Sequence, residues 1–216
     1  MTEFKKSLVK ACQDELSLFG NGRVRETDPE ASGRIGEYWQ AVGVSGRNGM
    51  DTNYPWSAAF VSYCIQQAGA EDAFKYHPAH CYYVNASMNA SDRNDRSHGY
   101  IAHTTQSYRP EIGDIIVGGR GCAAYFDYST AQAYFSANKF YASHGDIIID
   151  VKDRHIVVVG GNLSQSVTAR EIQLDDDGLI APRQSASVFN SFARDPFTAS
   201  FHNRTKPWIT ILECKL

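Results

Sequence analysis

The run Asn53-Tyr54-Pro55-Trp56-Ser57-Ala58-Ala59-Phe60-Val61-Ser62-Tyr63-Cys64 constrains this chain more than any other stretch. A loop closes on Pro55, and a helix opens that runs from about Ser57 to Ala68 and stops at Gly69. Its apolar positions Ala58, Phe60, Val61, Cys64, Ile65 and Ala68 make a wide stripe, so the helix belongs at the centre of the molecule, with other elements packed around it. Ser57, in the first turn, stands beside the positive end of the helix dipole and its unpaired backbone N–H groups. A hydroxyl there has two readings. Serine is among the best N-cap residues, and residue type alone favours that role. The position also suits a nucleophile with an oxyanion pocket formed by the adjacent N–H groups.

The segments before and after this helix differ in period. Phe4, Leu8, Ala11, Cys12, Leu16 and Phe19 fall at helical spacing ahead of Gly20-Asn21-Gly22, and a second helix is expected over Arg34 to Val42, stopped by Gly43. Residues 74–90 read as a further helix entered near Pro78. Beyond Pro110 the pattern becomes extended. Strands are expected at Ile112–Val117, Gly145–Asp150, His155–Gly160 and Trp208–Leu212, the middle two joined by a short turn as a hairpin. Gly118 to Ser143 is an aromatic insertion between the first two. Helices followed by antiparallel strands predict an α+β fold, with N-terminal helices packed on a small antiparallel sheet. A length of 216 residues suits one domain. We divide it into a helical extension (1–50), a stretch holding the core motifs (51–175) and a C-terminal strand region (176–216).

Composition removes several classes. A net charge of −3 gives no electrostatic reason to expect nucleic acid as a partner. Hydrophobic residues at 43% and charged residues at 21% argue against disorder. No stretch is apolar for long enough to span a bilayer. Met1 to Phe19 carries Lys5, Lys6, Lys10, Asp14 and Glu15 and has no apolar core of a secretion signal, so synthesis in the cytoplasm is expected. Five cysteines, odd in number and widely spaced, form no C-x-x-C pair and no zinc pattern, and read as reduced structural thiols. No cofactor is expected.

A nucleophilic site needs a base, a group that orients the base and a pocket for the developing charge. His144 opens an extended run, and Asp146, two residues on, shares its strand face. These two can address one site together, or can be polar residues on an exposed strand edge. Asn162, after Gly160-Gly161, ends the next strand and can return beside His144 to fix its tautomer; Gly-Gly-Asn is also ordinary turn chemistry. His80, in His77-Pro78-Ala79-His80-Cys81, suits a pocket-lining or supporting role, or a structural one at a helix entrance. Trp56 adjoins Ser57 as a supporting or substrate-binding residue. Convergence of His80, His144 and Asp146 on a metal is a minority reading.

The ordered set of motifs resembles a known group. Pro55-Trp56-Ser57-Ala58-Ala59-Phe60-Val61-Ser62 is similar to the nucleophile helix of the NlpC/p60 and CHAP superfamily of papain-like peptidoglycan hydrolases, where the usual form is Trp-Cys-Ala-Ala-Phe. Ile112-Gly113-Asp114-Ile115-Ile116, Ser143-His144-Gly145-Asp146-Ile147 and Val159-Gly160-Gly161-Asn162 resemble its three strand motifs in order. Arg34-Ile35-Gly36-Glu37-Tyr38-Trp39 and Ala79-His80-Cys81-Tyr82-Tyr83 resemble segments of a branch of unknown function that carries serine in place of cysteine. The resemblance covers about residues 30–175. It implies a papain-like fold, a site of Ser57, His144 and Asn162, and cleavage of peptidoglycan or its peptide stem as an amidase or endopeptidase. With no cleavable signal, it further implies an antibacterial effector or toxin, delivered by a secretion machine into the periplasm of a target cell and countered by an immunity protein. A serine is a weaker nucleophile than a thiolate. The resemblance therefore leaves open a pseudoenzyme that binds a cell-wall glycopeptide or protein, and a serine esterase.

Overall fold

The computed structural model describes residues 1–182 and 206–216. Helices α1 (Glu3–Leu18), α2 (Pro29–Ala41), α3 (Ser57–Gln67) and α4 (His80–Arg93) come first. They are followed by β1 (Tyr100–His103), β2 (Ile115–Gly119), α5 (Tyr128–Ser136), β3 (Ser143–Val151), β4 (His155–Leu163), β5 (Ser166–Gln173) and β6 (Trp208–Cys214). The strands form one antiparallel sheet in the order β1-β6-β2-β3-β4-β5. The expected α+β class is the one observed. Residues 183–205 of the expected C-terminal region lie outside the described residues.

Local chemistry sets the ends of the elements. The Thr2 side chain caps α1 by accepting from the Lys5 N–H, and Pro29 occupies the first turn of α2, where its missing N–H costs nothing. Asn94, left-handed at φ 51°, closes α4. Asp127 caps α5, inside the aromatic insertion. Several boundaries differ from the sequence reading, with β3 and β4 among those that run beyond their expected spans. Pro29 starts α2 five residues early, a turn at Gly113 (φ 94°) delays β2 to Ile115, and α4 begins at His80 rather than near residue 74. Strands β1 and β5 were not expected.

Alternation along the strands gives the sheet two buried faces. Ile115, Val117, Ile147, Val159, Val167 and Leu212 pack with the helices, where α3 is central and buried from Ser57 to Ile65. Ile116, Ile148, Ile156, Val158, Ile172 and Ile211 form a second apolar cluster on the other face. Polar groups drawn into either face must therefore find partners there. Beside Trp56, the rings of Phe19 and Tyr38 pack at centroid distances of 5.9 and 5.7 Å.

Candidate active site

Ser57 and His80 are each the first residue of a helix, and neither start is capped by a side chain. The two helix ends meet, with Ser57 Oγ 2.7 Å from His80 Nε2. The other ring nitrogen, Nδ1, is hydrogen-bonded to the hydroxyl of Tyr83, three residues along α4 on the same helix face. Ser57 and His80 are each 5% exposed and Tyr83 is fully buried. The N-cap of α3 is Trp56, so Ser57 does not cap its own helix. Burial, with lesser help from His144 and Arg120, holds His80 well below an ordinary histidine value. At neutral pH its imidazole is uncharged, as a general base must be.

His144 does not reach the Ser57 hydroxyl, and strand alternation gives the reason. Gly145 is the β3 residue that faces the helices: a methyl group there would stand 2.7 Å from the Tyr83 hydroxyl oxygen and 3.2 Å from His80 Nδ1. His144 and Asp146 share the opposite face, where His144 Nε2 lies 2.8 Å from Asp146 Oδ1. Arg170, on β5, donates to the second Asp146 oxygen. The His144 ring remains near His80, with centroids 5.4 Å apart. Burial, then the positive charge of Arg120, lowers His144 to about 4. Burial would raise Asp146, but Arg170 and His144 outweigh it and hold the carboxyl well below the usual range. Arg120, half-buried and lowered by desolvation to about 10, adds a second positive charge nearby.

Asn162 is not an orienting group for His144. It lies inside β4, left-handed at φ 56° where the pairing with β5 is irregular, and its side chain makes no hydrogen bond to that ring. The preceding glycines serve close packing rather than a turn. A methyl at Gly161 would press to 2.6 Å from Phe60 Cβ and 2.7 Å from Trp56 Cζ3. Trp56, only 1% exposed, is a supporting residue and not a substrate surface; its indole N–H donates to Glu26 Oε2 at 2.6 Å. Among the described residues no three His, Cys, Asp or Glu side chains are grouped as metal ligands, and His80, His144 and Asp146 are instead engaged as given above.

Four participants were missed from the sequence: Tyr83, Glu26, Arg120 and Arg170. Tyr83 was within reach, because Ala-His-x-x-Tyr sets its hydroxyl one helical turn from His80. The other three join the network through contacts distant in sequence, which no local pattern encodes.

An α+β protein with a buried hydroxyl–imidazole pair at the junction of two helix starts is thus the class defined by fold and site. Residues 26–213 match the model of a family described as an uncharacterized protein conserved in bacteria, DUF2272, and the chain belongs to that family. No curated protein and no solved structure gave a match.

Proposed function

We propose that the protein is a serine-dependent acyl hydrolase, acting as an amidase or endopeptidase on the peptide portion of peptidoglycan. The observation that carries the reading is the 2.7 Å contact between Ser57 Oγ and His80 Nε2. In the reacting form Nδ1–H donates to the Tyr83 oxygen and Nε2 presents a lone pair to the serine. Ser57 Oγ adds to the scissile carbonyl carbon while its proton passes to Nε2. The N–H groups at the uncapped start of α3 are the donors this reading assigns to the developing oxyanion. Nε2 then gives the proton to the departing amine as the C–N bond breaks. Water attacks the acyl-serine, returns a proton through Nε2, and frees the acid and Ser57. Tyr83 plays the orienting part that an Asn or Asp has in other triads.

The peptidoglycan assignment and a papain-like ancestry rest on the order of sequence motifs. Relative to the resemblance, the base moves from strand β3 to the start of helix α4. The test is digestion of purified sacculi, with a panel of acyl esters in parallel, by wild type, Ser57→Ala and His80→Ala. Release of stem-peptide fragments by wild type alone supports the proposal. Turnover of esters only would make it an esterase. Inactivity of folded wild type on every substrate would leave the binding reading.

A further inference from the structure

The chain Ser57 Oγ–His80–Tyr83 Oη has a proton count that decides its resting form. A neutral imidazole carries one ring proton, and each hydroxyl carries one, so three protons share two contacts. In one arrangement Ser57 donates to Nε2, Nδ1–H donates to Tyr83, and the Tyr83 proton is left over. In the other, Tyr83 donates to Nδ1, Nε2–H donates to Ser57, and the serine proton is left over. The two ends are not equivalent. The Tyr83 hydroxyl is fully buried, Gly145 lies directly against it, and among the described residues its hydrogen-bond partner is His80 Nδ1. Ser57 is the less enclosed end of the chain, 5% exposed at the first residue of a helix. A leftover proton is tolerated there and costly at Tyr83.

We propose that Tyr83 is a positioning residue that holds resting His80 as the Nε2–H tautomer, the form in which it cannot accept the Ser57 proton. Tyr83 acts through His80 and touches no substrate. This rests on the reading of Ser57 and His80 as nucleophile and base, and makes their site latched at rest. To act, the ring moves its proton from Nε2 to Nδ1, remaining neutral, while Tyr83 turns from donor to acceptor. The reactive tautomer is then a minor population.

The experiment is nitrogen-15 NMR of the imidazoles in the substrate-free full chain, assigned with His80→Gln. We expect a pyrrole-type shift at His80 Nε2 and a pyridine-type shift at Nδ1 in wild type. Tyr83→Phe removes the donor that selects Nε2–H together with the acceptor that the reacting form uses, so the ring should become a mixture of the two tautomers and any hydrolysis should fall by about tenfold or more. Ser57→Ala should keep the wild-type pattern, because Tyr83 still donates, and it serves if Tyr83→Phe does not fold. A wild-type Nδ1–H tautomer, a doubly protonated ring, an unchanged pattern in Tyr83→Phe, or inversion in Ser57→Ala would overturn the assignment. The tautomer is read without substrate. Loss of the hydrolase reading would thus appear only in the activity assays, and loss of the latch only in the spectra.

Discussion

Asp146 and Gly160 face each other across the β3–β4 hairpin so closely that a methyl group on residue 160 would stand 1.8 Å from Asp146 Oδ1. The missing side chain at 160 is the space in which the carboxylate meets His144 and Arg170. Gly160→Ala should push the carboxylate off at least one partner and leave charge unpaired in the sheet. Urea unfolding should show a loss of roughly 3–5 kcal/mol, the usual cost of breaking a buried ion pair. A loss below about 1 kcal/mol would mean that the network relaxes without cost.

The two histidines should separate in activity. Ser57→Ala and His80→Ala are each expected to lower hydrolysis by about 10³-fold or more with the fold retained. His144→Ala should act mainly through stability, since its ring bonds Asp146 and not the serine. A larger loss of kcat in His144→Ala than in His80→Ala, measured on folded protein, would restore the strand histidine as the base.

Burial of neutral His144 ties stability to pH. Its folded value of about 4 lies below the ordinary 6.5, so between these values the unfolded chain binds more protons. The contribution is complete above about pH 6.5 and is lost as pH falls towards 4, reaching about 3 kcal/mol. Asp114, whose burial lifts its carboxyl to about 7, pulls the other way over the whole of this range. The informative measurement is therefore the difference in unfolding free energy between wild type and His144→Gln at each pH. A difference that does not change from pH 7 to pH 4.5 would contradict the assignment.

His80 leads to a kinetic counterpart. Because its folded value lies well below 6.5, the His80 ring stays neutral into mildly acidic solution. The acid limb of kcat/KM should fall at a pH clearly under 6.5. An apparent pKa at or above 6.5 in the free enzyme would show that His80 is not the group titrating.

Glu26 supports the start of α3 from outside it, through the bond from the Trp56 indole. Glu26→Ala strands that buried N–H and should cost about 1–3 kcal/mol, with Glu26→Gln recovering most of the loss. Equal losses in thermal unfolding of the two variants would assign the effect to charge rather than to the hydrogen bond.

The sequence made the helices and the central strands legible where their period was strong. Buried α3 and the hairpin of β3 and β4 follow directly from apolar spacing. β1 has four residues and β5 carries Arg170 and Glu171 mid-strand, so neither stands out until the sheet pairs them. Within the site, residue types were legible and pairing was not. His144 and Asp146 do share a strand face, but which face looks towards Ser57 depends on the register of β3 against the helices. A one-residue change of phase decides it, and it gave His80 the contact that spacing alone had assigned to His144.

Because Ser57 and His80 each begin a helix, their side chains take their phase from α3 and α4 themselves. One residue more or fewer inside α4, between His80 and Tyr83, would turn one side chain roughly 100° from the other and break the bond between them. The connector at 68–79 lies outside both helices and takes up a change in length without altering that phase. The spacing His-x-x-Tyr therefore matters more to the site than the length of the loop that precedes it.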